Sequence, residues 1–245
     1  MAGHSKWKNI QHRKNAQDKS RGKNFTKLIR EITTAAKMGG GDATSNPRLR
    51  LAIDKALAGN MTRDTIDRAT KRGAGGEDNV DMQEIVYEGY GPGGVAVIVE
   101  CLTDNKNRTV ADVRHAFTKC GGNLGTTGSV GFLFSKIGLI QFAKNNNEEK
   151  IMEVALESGA NDIVSNDDGS IDVITDPDSF INIKEALIKA NLIPENAEVT
   201  MNASTQASLT DPDQIKQMLK LSEMLEDLDD VQNVHSNADI AEKYL

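Results

Sequence analysis

Apolar residues first change their period along this chain in a glycine-rich stretch. Before it they recur at helical spacing. Phe25, Leu28, Ile29 and Ile32 stand at i, i+3, i+4 and i+7, one face of a helix. "MGGGDATSNP" stops that pattern with three glycines and a proline. Leu49, Ile53, Ala56 and Leu57 form a second stripe. Thr62 is an N-cap for a third helix, with Ile66 and Ala69 inward and Gly73 after its last turn. After "GAGGEDN", residues 73–79, the period drops to two: Val95, Val97, Val99 and Cys101 share one face of a strand. A chain that switches period this way has a helical first part and sheets after it.

The second part carries its own order. "EIVYEGY" is a shorter strand before Val95, and "GYGPGG" is the turn between the two. That turn matches G-x-G-x-x-G at Gly89, Gly91 and Gly94. A dinucleotide fingerprint needs a strand before and a helix after, whereas here a strand follows and Pro92 sits inside. A helix from about Asn107 to Cys120 places Val110, Val113, Phe117 and Cys120 on one face, with Asp104 or Asn107 as its cap. "GGNLGTTGS" ends it, and "VGFLF" reads as another strand. Next come strand 137–143, helix 148–158, strand 161–166, strand 171–175, helix 178–190 and strand 197–202. Asp176 and Pro177 serve as N-cap and N1 of the second helix. This is the βαββαβ order of a ferredoxin-like unit.

The tail from 203 holds a strand-like "ASTQASL", a helix starting at Asp211-Pro212, and a last strand at "VQNVH". Alone it lacks a core, and so does 82–135; joined, they make a second plait. The expected fold class is therefore α+β. An N-terminal three-helix domain (1–80, with a basic arm) precedes a discontinuous α/β domain (81–135 plus 203–245). A ferredoxin-like domain (136–202) is inserted into the latter.

Charge is divided along the same line. Residues 1–72 hold 17 Lys or Arg against 6 Asp or Glu, while the whole chain has a net charge of −7. "KWKNIQHRKNAQDKSRGK", residues 6–23, has seven Lys or Arg and one acid, Asp18. A basic first third on an acidic remainder points to a polyanionic partner. A solvated helical face, or an arm folded onto its own acidic domains, is the competing reading. A mitochondrial presequence is another, but this arm is rich in Lys, Asn and Gln, with poor apolar periodicity. No apolar run approaches the ~18 residues of a membrane span, and no apolar h-region marks a secretory signal. Two distant cysteines suit a reducing cytosol.

Catalysis finds little support. Cys101, Asp112 and His115 are the tempting set, yet Cys101 continues an inward strand face, Cys120 continues a helix stripe, and His115 lies off it. Four scattered histidines do not make a zinc site, and no P-loop pattern occurs. The sequence therefore points to a protein that is not an enzyme and needs no cofactor or metal.

Nucleic acid is the expected partner. Lys6, Lys8, Arg13, Lys14, Lys19, Arg21 and Lys23 of the arm would neutralise phosphates, as would Arg48, Arg50, Arg63, Arg68, Lys71 and Arg72 of the helical domain. Trp7, the sole tryptophan, stands between two lysines, where it would stack on an exposed base or else anchor the arm. Lys106 and Arg108 in "TDNKNRT" form a possible second phosphate contact at a helix N-terminus.

The stretches "AGHSKWKNIQHRK", "RGKNFTKLIREI", "NPRLRLAIDKAL", "YEGYGPGGVAVIVECLTDNKNRTVADVRHAF" and "GGNLGTTGSVGFLF" resemble the signature blocks of the YebC family. The similarity runs over essentially the whole chain; Thr62 stands where many relatives have proline. The resemblance implies three domains, the third inserted into the second, and no enzyme activity. Members are bacterial and cytosolic, or mitochondrial. Many are named DNA-binding transcriptional regulators; others, including a mitochondrial translational activator, are implicated in translation. The expectation is a cytoplasmic nucleic-acid-binding regulator, either of DNA or of ribosomal RNA and the ribosome, with a protein–protein adaptor as the third possibility. The oligomeric state is not read from the sequence.

Overall fold

A computed structural model describes residues 21–75, 82–144 and 146–241, with the side chains of 21–23 outside the description. The described residues form two compact units: 133–206, and those of 21–132 with 207–241.

The larger unit begins with three helices, α1 (Arg21–Gly39), α2 (Pro47–Ala58) and α3 (Arg63–Ala74). Their apolar stripes converge on Ile32, Ala35, Leu49, Ala52, Ala56, Met61, Ile66 and Ala69, all buried, with Phe25, Leu28, Ile29 and Ile53 packed around them. Asn46 closes the corner between α1 and α2. Its Oδ1 accepts from Leu49 N at 3.1 Å, and its Nδ2 donates to Ala35 O at 2.8 Å and Gly40 O at 2.9 Å. Thr62 caps α3 through Thr65 N, as expected. Gly73, however, is not a terminator. It lies inside α3, and Gly75 is the C-cap. A Cβ at Gly73 would come within 2.2 Å of Thr33 O, so the missing side chain lets α3 pack against α1.

The same unit continues into a four-stranded sheet, order β3-β1-β2-β9, from β1 (Gln83–Tyr90), β2 (Ala96–Thr103), β3 (Asn123–Leu124) and β9 (Val231–Ser236). All neighbours are antiparallel. Hence β2 and β3 run parallel on either side of β1, and β1 and β9 on either side of β2. This is the strand layout of a ferredoxin-like plait, reached by a different path, because β1 and β2 form a direct hairpin. "GYGPGG" is its turn, with a single 3-10 turn at Pro92–Gly94. The unit's other helices are α4 (Lys106–Lys119) and α7 (Pro212–Glu226). Phe117 of α4 lies beside Gly89 of β1, and Met218 and Leu221 of α7 lie beside Gly91. β8 (Ala207–Leu209) pairs in parallel with β10 (Ala238–Ile240). Only the end of "ASTQASL" is thus in this strand.

Two local expectations fail here for identifiable reasons. "VGFLF" does not form one strand: Gly131–Leu133 is a 3-10 turn, and the strand begins at Phe134. The buried Glu88 carboxylate accepts from the N–H groups of Gly128, Val130 and Gly131 at 2.8, 2.8 and 2.6 Å, which takes those donors out of any ladder. Helix α4 is capped by Asn105, whose side chain accepts from Arg108 N, rather than by Asp104 or Asn107.

The second unit holds β4 (Phe134–Phe142), α5 (Glu148–Glu157), β5 (Asp162–Ser165), β6 (Ile171–Thr175), α6 (Phe180–Lys189) and β7 (Asn196–Ala203), with sheet order β5-β6-β4-β7, antiparallel throughout. That is the ferredoxin-like split βαβ arrangement. A Cβ at Gly138 would meet Phe180 Cδ2 at 2.6 Å, so the fully buried Phe180 packs directly on strand β4. Asp176-Pro177 does not open α6. A turn at 177–179 intervenes, Ser179 holds the N-cap position without a side-chain bond, and Asp176 accepts from Asn161 Nδ2 at 3.0 Å instead.

Candidate nucleic-acid interface

The cations singled out in the sequence separate into three groups. Lys6, Trp7, Lys8, Arg13, Lys14 and Lys19 lie outside the described residues. Arg21 and Lys23 stand in the first turn of α1, their side chains likewise outside the description.

The second group is on α3. Its buried residues are Ile66, Ala69 and Gly73, so the helix turns its opposite side to solvent. Arg63, Arg68, Lys71 and Arg72 are all exposed there. Arg68 makes an i,i+4 pair with Asp64 at 2.8 Å, a surface contact of little energetic weight. Lys71 and Arg72 occupy the last turn, where they complement the helix dipole.

The third group is already engaged, Lys106 apart. Arg48 is half-buried and pairs with both oxygens of Glu31, at 2.7 and 3.0 Å, and with Glu84 of β1. Hydrogen bonding to Glu31 raises its affinity for the proton above that of a free guanidinium. Arg50 donates to Ala43 O and Thr44 O, bracing the α1–α2 loop. Arg108 pairs with Asp104 at 2.7 Å and with Asp230 at 2.7 Å. Lys106 is exposed on the first turn of α4. The turn proposed as a second phosphate contact therefore brings two carboxylates to Arg108.

Sequence reasoning missed the residues at the centre of that arrangement. Asp230, just before β9, is 6% exposed, and its two oxygens are shared out. Oδ1 takes Arg30 Nη1 at 2.8 Å, and Oδ2 takes Arg108 Nη2 at 2.7 Å and Thr109 Oγ1 at 2.9 Å. Burial pushes the carboxyl up, but the Arg108 and Thr109 bonds outweigh it and leave it below the usual carboxylate range. Arg30 also donates to Asp229 O at 2.8 Å, and Lys27 donates to Glu226 O. Nothing in the periodicity of α1 distinguishes Lys27 and Arg30 from ordinary flanking cations; the partners are about 200 residues away.

The tempting nucleophile is inert. Burial first, and then the charge of Asp230, push the Cys101 thiol up to about 12, so a thiolate is scarce at neutral pH. Cys120 is buried too, and burial raises its thiol. Among the described residues no group of three or more His, Cys, Asp or Glu is placed to hold a metal ion. No described helix is long and apolar enough to cross a membrane.

Residues 5–76 match the family model of the TACO1/YebC protein N-terminal domain, and residues 82–238 match that of the TACO1/YebC second and third domain. A Coxiella burnetii protein named "Probable transcriptional regulatory protein" is 64% identical over 245 residues, covering all of both chains. A Methylococcus capsulatus protein, "Probable transcriptional regulatory protein MCA1220", is 62% identical over all of this chain and 98% of its own. Among solved structures, a conserved hypothetical protein from Aquifex aeolicus superposes with a TM-score of 0.81 at 44% identity, over 92% of this chain and 93% of that one.

Proposed function

The chain belongs to the TACO1/YebC family, and from that premise we propose that it is a non-enzymatic, nucleic-acid-binding regulator of gene expression. In this reading it holds its target through the basic arm and the outer face of α3. The observation that carries the reading is the exposed set Arg63, Arg68, Lys71 and Arg72 on a helical domain whose first 72 residues hold 17 cations against 6 acids. Such a face neutralises phosphates and releases counterions, which gives affinity without sequence choice. The names carried by the Coxiella and Methylococcus relatives favour duplex DNA and transcription.

A second reading, an RNA- or ribosome-associated translation factor, is favoured by one feature of α3. Its sequence RDTIDRATKRGA contains no Asn or Gln, the side chains that read adenine in a major groove. Trp7 fits the same reading, since an indole stacks on unpaired bases rather than on a closed duplex. Crosslinking in cells followed by sequencing of the bound nucleic acid tests both. Promoter DNA supports the first and ribosomal RNA the second. Enrichment of neither over an Arg63, Lys71 and Arg72 triple alanine variant overturns both and leaves the adaptor.

A further inference from the structure

Three cations of the helical domain point at acceptors supplied by its own α/β neighbour. Lys27 donates to the backbone oxygen of Glu226, the last residue of α7, where helix carbonyls lack internal partners and the dipole is negative. Arg30 takes Asp229 O and the Asp230 carboxylate, both at 2.8 Å. Arg48 reaches Glu84 on β1. Carboxylate and carbonyl oxygens thus occupy donors of these cations. The cleft beside them, about 530 Å³, is lined by Arg30, Arg108, Asp104, Asp112 and Asp227, so solvent and ions reach the contact.

We propose that this contact is autoinhibitory: Asp230, Glu84 and the end of α7 act as an internal substitute for a polyanion. They keep Lys27 and Arg30 out of nucleic-acid binding until the helical domain lifts away, whereas Arg48 stays paired with Glu31 of its own domain. The proposal rests on the nucleic-acid reading above. It divides the cations of the helical domain into an open set on α3 and a reserve set, Lys27 and Arg30, on α1. Arg108 and Thr109 hold Asp230 in place from the α/β side, so the acceptor is fixed before the helical domain docks on it.

The test uses the full chain with two readouts. Fluorophores on Thr44→Cys and Lys216→Cys, both exposed positions, report the distance between helical domain and α/β body; the native thiols are buried and stay unlabelled. Titrations with mixed-sequence duplex DNA and with a single-stranded RNA homopolymer, each over a salt series, report how many cations bind phosphate. In an Asp230→Asn, Glu84→Gln chain the distance distribution should broaden. The slope of log K against log salt should then steepen by ~0.9 per freed cation on duplex, or ~0.7 on single strands, for up to two cations. Arg30→Ala with Glu84→Gln should broaden the distances equally but steepen the slope by one cation fewer. This variant leaves Asp230 paired with Arg108, and so guards against misfolding in the first. Unchanged distances in both folded variants, or broadened distances with an unchanged slope, overturn the proposal. Failure of the wild-type chain to bind either nucleic acid overturns the functional reading itself, and the autoinhibitory role with it.

Discussion

Arg72 and Arg30 are the same residue type on the same small domain, yet they have opposite surroundings. Arg72 stands in solvent at the end of α3. Arg30 is spent on Asp229 and Asp230. A count of positive charges treats them alike. The difference teaches that capacity for phosphate is set by which acceptors the fold brings within 3 Å, and these come from residues far along the chain. The contrast can be broken or sharpened by experiment.

The largest effect is expected on stability. Asp230→Ala leaves Arg30 and Arg108 without their shared carboxylate, and should cost about 3 kcal/mol, the low end for a broken buried pair because both guanidiniums are partly exposed. Lys71→Ala and Arg72→Ala should each change stability by less than ~0.5 kcal/mol. Denaturant unfolding checks both, and an Asp230→Ala chain as stable as wild type would erase the contrast. Acid offers a second route to the same point. The folded Asp230 carboxyl lies below its unfolded value of 3.8, so its contribution is present above that value and is lost as pH falls through the lower folded one. Docking of the helical domain should weaken in that acid range.

Next in size is Trp7→Ala. It should cost ~1–3 kcal/mol of affinity for single-stranded RNA, and much less for duplex DNA held through phosphates. Quenching of the lone tryptophan on titration checks this; emission unchanged on binding would remove the stacking role. The smallest expected effect belongs to the open set. Lys71→Ala and Arg72→Ala should each flatten the duplex salt slope by ~0.9 at unchanged melting temperature. A slope insensitive to both would place the phosphates elsewhere.

Local patterning made most of the fold legible. The stripes at Phe25–Ile32 and Leu49–Ala56, the Thr62 cap and the βαββαβ order from 134 to 203 each depend on residues a few positions apart, although Leu57, expected on the second stripe, is exposed. The misreadings occur where a distant group intervenes. "VGFLF" has strand composition, but Glu88 captures its backbone donors from forty residues away. Gly73 looks like a terminator until Thr33 O is seen against it. The candidate site follows the same rule. The exposure of Arg63, Lys71 and Arg72 follows from helix periodicity, whereas the engagement of Arg48 and Arg108 required knowing where Glu84 and Asp230 arrive. The domain division carries its own test: we propose that 136–202 expressed alone melts cooperatively and that 203–245 alone does not.

The register between β2 and β9 has a kinetic consequence. Val97 pairs with Ser236, so the sheet is completed by a strand synthesised 139 positions later. The corner at Asn46, by contrast, joins Ala35 and Gly40 to the start of α2 across at most 11 positions. Contacts of short reach form early, and contacts of long reach wait for a large loop to close. If 133–206 collapses first, the loop that β9 must span shrinks to the part outside it, and the entropy cost of the last step falls. Stopped-flow refolding should then show the helices and the 133–206 sheet gaining structure before β9 docks. Because Asp230 lies just ahead of β9, the acceptor for Arg30 arrives in that same late step, so a nascent chain would pass through a stage in which Arg30 is uncovered.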